Sequence, residues 1–198
     1  WGAPYHDVDG NGAYDAAVDV PGYPGADQTV WTVANDVPLI VDANGDSTAY
    51  LETSASLAGA DAIGIELQIT LWGYAFGASD PLGNVIFKKA TMHYKGTPDT
   101  PDGATMDDTY FALFSDPDLG NFTDDYVGCD VPLSFGYVYN GNRLDGVFNG
   151  IYNLAVPAAG YDFLQGPKDT YDIDGDEDTD EYLGMTSFAY YGAGAAIS

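Results

Sequence analysis

The sequence predicts an all-β protein: an antiparallel β-sandwich, jelly-roll-like, with long Asp/Gly-rich loops and very little helix. Three observations lead there. Apolar and polar residues alternate cleanly at 65–71 of the 198-residue chain, and a period of two marks a half-buried strand. Gly (25) and Pro (11) punctuate the chain throughout, and no apolar stripe at helical spacing runs beyond a turn or two. Seven or more short strands set off by turn signals form the pattern of a sandwich or jelly roll.

Taken in order, the first long strand falls at 28–34. The cleanest alternation follows, with Ile65, Leu67, Ile69 and Leu71 interleaved by Glu66, Gln68 and Thr70. It continues through 72–76. Ser79-Asp80-Pro81-Leu82-Gly83-Asn84 then marks a turn, and 85–95 reads as the return strand of a hairpin. Further strands are expected at 109–115, 132–139, 160–164 and 185–191. The Ala-rich stretch 54–60 is the best helical candidate. Loops at 98–107, 116–130 and 166–181 hold many of the carboxylates. The Asp-Gly clusters recur, but the strands between them do not resemble one another, so the chain reads as one domain over 1–198. Within it, 1–26 forms an N-terminal calcium-loop segment.

The charge balance is lopsided, with 31 Asp plus Glu against 5 Lys plus Arg and a formal net charge of −26. No basic surface exists to hold nucleic acid or an anionic membrane through phosphate contacts. The acid is 27 Asp and only 4 Glu. Asp favours turns and is a hard oxygen ligand on a short stem. Self-repulsion on this scale opposes compaction unless cations offset it. Bound calcium is one source of offset, and a salt-rich medium is the other.

Asp7-Val8-Asp9-Gly10-Asn11-Gly12-Ala13-Tyr14-Asp15 has calcium-loop spacing. Asp7, Asp9 and Asn11 fall on loop positions 1, 3 and 5, with Gly12 at the sharp turn, the Ala13 carbonyl next and Asp15 at position 9. Val18 stands where a bidentate Glu belongs, and Asp19 comes one residue late. That departure, with no flanking helix, points to a helix-free Asp/Asn loop, with an ordinary Asx-turn loop as the competing reading. A second set lies at 172–181, where Asp172, Asp174, Asp176 and Asp180 are the ligands by spacing; a solvated acidic loop is the alternative. Asp116, Asp118, Asp124, Asp125 and Asp130 make a third. The run from Asp42 to Asp46 reads as a plain Asn-Gly turn.

Enzyme signatures are missing. The sequence holds no nucleophile elbow, zinc-protease helix, phosphate loop or dinucleotide fingerprint, and His6 and His93 stand alone. No catalytic residue is assigned. Cys129, the one cysteine, has no internal disulfide partner and reads as a small buried hydrophobe. Sixteen Tyr, with Trp1, Trp31 and Trp72, read mostly as core, with a sugar-stacking platform as the alternative. Asn121-Phe122-Thr123 is a glycosylation sequon, and Asp46-Ser47-Thr48 resembles a short O-glycosylation pattern at Ser47 and Thr48.

No apolar stretch reaches the length of a membrane span, and a chain that starts at Trp1 reads as a processed product or an excerpt. Several segments resemble one group of proteins: Gly2-Ala3-Pro4-Tyr5 with the Asp7 loop, 21–28, 80–87, 115–120, 124–130, 136–140 and 161–167. They are similar to segments of large uncharacterised extracellular proteins of Gram-negative bacteria that export by the type IX route. Many of those proteins carry fibronectin-type modules further along. The 42–62 region and the 172–181 loop depart from the pattern. The resemblance implies an extracellular or cell-surface location and comes with no assigned activity.

The leading functional expectation is a calcium-stabilised structural subunit of a surface fibre, layer or adhesin. The alternative is a carbohydrate-binding or glycan-processing module of a secreted enzyme. The 17 uncharged residues after Glu181 either complete the protein's own sandwich or donate a strand, 182–198, to a second copy. A row of exposed aromatics on one sheet face is the feature that would favour the carbohydrate reading.

Overall fold

The structure, a computed structural model, describes residues 2–36, 39–41, 44, 47–50, 62–77, 79–168, 182–192 and 195–197. The chain divides into two compact units, Trp1–Tyr110 and Phe111–Ser198, where the sequence reading placed one domain. Among the described residues all paired strands are antiparallel. Among the described residues no sheet exceeds three strands, so the all-β class holds while a pair of large facing sheets is not seen.

The first unit runs through β1 (Tyr5–His6), β2 (Val20–Pro21), β3 (Gln28–Asn35), β4 (Leu39–Val41), β5 (Ser47–Tyr50), β6 (Ile65–Gly73) and β7 (Ile86–Tyr94). Its main sheet has the order β3-β6-β7. The strand with the cleanest alternation, β6, takes the centre, where both of its neighbours cover it. Register sets Thr29, Trp72 and Phe87 side by side on one face. Tyr23 lies flat on Trp72 with centroids 3.9 Å apart, and Trp72 stacks on Phe87 at 5.4 Å. The expected hairpin turn is a 3-10 turn, Pro81–Asn84, which Asp80 caps by accepting the Leu82 N–H at 3.0 Å.

The second unit holds a 3-10 turn (Phe122–Asp124), β8 (Asp125–Asp130), β9 (Phe135–Asn140), α1 (Gly146–Tyr152), β10 (Ala159–Asp162), β11 (Tyr190–Gly192) and β12 (Ala195–Ile197). Its main sheet has the order β10-β9-β8, and β11 and β12 form a separate two-stranded ribbon. On one face of the main sheet Val138 is buried while its partner Val127 stays exposed, and Leu119 is buried too. On the same side the Cys129 Sγ sits 3.4 Å from the Met185 Sδ, and Phe188 packs over Gly136.

Four expectations change here. The stretch 109–115 is an apolar, aromatic run but forms no strand, and Tyr110 and Phe114 are exposed; such a run makes a strand only where another strand pairs with it. Of 185–191 only the last two residues join a strand. A strand not expected, β8, carries Asp at both ends, which reads locally as loop. The helix α1 was also not expected, since its Gly and Asn disguise it. It is held by Asp145 at its N-cap and by Asn153 in the left-handed region at its C-cap. The 54–60 helical candidate lies outside the described residues.

Candidate functional site

The Asp7 loop is organised by its own backbone. Asp7 accepts N–H groups from Gly10 (2.7 Å), Asn11 (3.2 Å) and Gly12 (2.7 Å). Gly10 and Gly12 adopt positive φ, +71° and +77°, which aims those N–H groups inward. Asp9 accepts the Asn11 backbone N–H, and Asn11 in turn accepts that of Ala13. The short Asp stem is what lets a carboxylate reach its own loop. The Gly12 N–H is the leading cause holding the Asp7 carboxyl below its ordinary range, with burial opposing it and the Gly10, Asp9 and Asn11 bonds adding to it.

Asp19 completes the loop from its far side. Its N–H bonds the Asp15 carbonyl at 2.7 Å, a helix-like turn that takes up the one-residue lag. Its carboxylate, only 6% exposed, accepts Val8 N–H at 2.9 Å and Asp15 N–H at 2.7 Å. Asp7, Asp9 and Asp19 thereby each present one oxygen within 4.8 Å of the others. Two oxygens on one calcium ion lie at most about 5 Å apart, given bonds of 2.3–2.6 Å, and the three separations fall inside that upper limit. Of the other expected ligands, Asn11 turns its carbonyl to Ala13, and Asp15 caps Ala17. Three carboxylates supply half or less of the six to eight oxygens calcium takes; backbone carbonyls such as that of Ala13, or water, would supply the rest.

The third set disperses into structural roles. Asp125 accepts the Leu119 N–H at 2.8 Å, Asp124 accepts from Asn142 and Asn140, and Asp130 accepts the Leu133 N–H at 3.2 Å. Asp116 and Asp118 lie exposed. Among the described residues, only Asp7, Asp9 and Asp19 gather as a group of three metal-ligating side chains. Asp172, Asp174, Asp176 and Asp180 lie outside the described residues, as do Asp42 and Asp46. Asn121 accepts the Thr123 hydroxyl at 2.9 Å. Ser47 and Thr48 fall in β5.

Two carboxylates that spacing gave no reason to single out tie distant segments together. Asp145, 2% exposed, accepts N–H groups from Phe148 at 2.5 Å and Asn121 at 2.9 Å. The Phe148 N–H leads in holding its carboxyl below the ordinary range, with burial opposing. Asp36 accepts from Ile63, Gly64 and Ile65. Both join segments more than twenty residues apart, which no local motif records.

Fold and site together define an antiparallel β protein with a self-capped acidic loop. The chain matches no protein-family model, no curated protein and no solved structure. Among the described residues no helix is long and apolar enough to cross a membrane.

Proposed function

We propose that the protein is an extracellular structural or adhesive domain of a cell surface, with calcium holding its acidic N-terminal loop. The observation that carries the reading is the convergence of Asp7, Asp9 and Asp19 within 4.8 Å. Calcium-type spacing in sequence and a net charge of −26 support it, because a divalent ion offsets repulsion among these carboxylates. No catalytic role is proposed.

The test is thermal unfolding in calcium and in chelator at constant ionic strength. An ion that binds only the folded state stabilises by RT ln(1 + [L]/Kd), so calcium should raise the melting temperature and Asp19→Asn should reduce the gain. An unchanged melting temperature, or equal protection by sodium, overturns the calcium reading. Light scattering on the same samples addresses self-assembly. The pairing of β11 with β12 inside one chain favours a tail that closes on itself over one donated to a second copy.

A further inference from the structure

In the second unit, one face of the β10-β9-β8 sheet meets Met185 and Phe188. The other face should be polar if it merely met water. It is aromatic instead. Phe135, Tyr137 and Tyr139 are alternate residues of β9, and register places Tyr126 of β8 directly opposite Tyr139. Ring centroids follow one another at 5.8, 6.1 and 5.8 Å, with interplanar angles of 24°, 30° and 23°. Tyr126, Tyr137 and Tyr139 are 57%, 39% and 45% exposed. The expectation that the tyrosines are mostly core fails here and elsewhere: none of the described tyrosines is buried, and eleven are exposed.

Glycines give the row its shape. A Cβ on Gly128 would lie 2.2 Å from the Tyr137 ring, one on Gly160 would lie 2.6 Å from Phe135, and one on Gly141 would lie 2.5 Å from Tyr126. Three rings therefore lie down over glycine backbone rather than standing upright from the sheet. Phe135–Tyr137 and Tyr126–Tyr139 are stacked and Tyr137–Tyr139 is tilted, all at wider spacing than the 3.9 Å of Tyr23 and Trp72. Asp130 and Asp162 flank Phe135 in register, one on each neighbouring strand of the same face.

We infer that this aromatic row is a binding platform for an extended, neutral polysaccharide. A sugar ring presents an apolar C–H face and a rim of hydroxyl donors. The exposed parts of the tyrosine rings match the first, and the carboxylates of Asp130 and Asp162 accept from the second. Ring spacing near 6 Å is of the order of one monosaccharide unit along a linear chain. Charge selects further: with a net charge of −26, the protein repels anionic glycans and nucleic acid. The inference gives the adhesive reading a target but does not depend on calcium, and the two are read by separate measurements.

The experiment is affinity electrophoresis of the whole chain in gels containing hydroxyethylcellulose, soluble mannan or carboxymethylcellulose. At least one neutral polymer should retard the protein, and the anionic carboxymethylcellulose should not. Tyr137→Ala and Tyr139→Ala should each weaken retardation about tenfold, while Tyr137→Phe keeps the ring and keeps binding. Circular dichroism checks that each variant folds. Gly128→Ala retains every aromatic residue but lifts Tyr137 from its bed, and should also weaken binding. No retardation by either neutral polymer, or retardation unchanged by the Tyr→Ala variants, overturns the inference. So does a dimer that Tyr137→Ala dissociates in light scattering, since the platform would then serve a second copy.

Discussion

The carboxylate of Asp36 accepts the backbone N–H of Ile65 at 2.8 Å, while the Asp36 N–H donates to the Ile65 carbonyl at 3.2 Å. Asp36 follows β3 directly and Ile65 begins β6, so this reciprocal pair ties the two strands at their shared end. The same carboxylate also takes N–H groups from Ile63 at 2.9 Å and Gly64 at 3.1 Å. Asp36→Ala leaves three donors without their acceptor. It should destabilise the first unit by about 2–4 kcal/mol, a fall in melting temperature of roughly 10 °C or more. All three tryptophans, Trp1, Trp31 and Trp72, lie in that unit, so tryptophan fluorescence follows its unfolding selectively. Asp36→Asn keeps one acceptor oxygen and should cost less.

Acid should destabilise the protein through Asp7 and Asp145. Both carboxyls are held below their ordinary range in the folded state, chiefly by backbone N–H donors. A group depressed in this way contributes stability that is complete above its unfolded value, about 3.9 for Asp. That contribution is lost as pH falls through the lower folded value. Melting temperature should therefore decline as the medium is acidified below about pH 4. Asp145→Asn, which retains a capping oxygen but cannot ionise, should flatten the decline. An equally steep decline in the variant would remove Asp145 from the account.

The contrast between these carboxylates explains what the sequence could reveal. The main strands of the first unit were legible because alternation and apolar runs bounded by turn residues are local: 28–34, 65–76 and 85–95 became β3, β6 and β7 with shifts of one to three residues. The Asp7 loop was legible for the same reason, since its capping bonds span two to five residues. Asp19 enters through the turn at Asp15, a tertiary adjustment that loop counting scores as a misfit. Asp36 and Asp145 reach segments 24 to 29 residues away, where spacing carries no signal. The preference for Asp over Glu has a structural cause beside any metal, because ten or so of the Asp side chains cap backbone N–H groups. The aromatic row was hidden because alternation gives the face a side chain shares, not whether that face is covered.

Gly64 should tolerate no side chain. Its φ is +83°, and a Cβ there would stand 2.1 Å from the Gly96 carbonyl carbon. Backbone on backbone cannot yield, and its carbonyl also accepts the Lys95 N–H at 2.8 Å. Gly64→Ala should cost about 3 kcal/mol or more, combining left-handed strain with overpacking. Gly96→Ala meets only the Thr100 side chain at 2.8 Å, and Gly10→Ala meets nothing within 4 Å. The expected order of destabilisation in urea unfolding is Gly64, then Gly96, then Gly10. Equal costs would show that φ alone governs all three sites.

Cys129 should be a slow thiol until the 182–189 segment moves. Its Sγ lies 3.4 Å from the Met185 Sδ, and the backbone N–H of Met185 is anchored on the Ser134 hydroxyl at 2.9 Å. Burial, and after it the charge of Asp130, pushes the thiol above its ordinary range. The thiolate is the reactive form, so little of it exists at neutral pH. The sign for stability follows: a raised folded value favours the folded state below the unfolded pKa, about 8.5, and that contribution fades as pH climbs through the folded value. Modification by an aromatic disulfide reagent at neutral pH should be at least about tenfold slower in the native protein than in urea. Ser134→Ala removes the anchor of Met185 without touching the sulfur. It should accelerate labelling while tryptophan fluorescence, which reports the other unit, stays unchanged. Native labelling as fast as that of the unfolded chain would show that the segment does not shield Cys129.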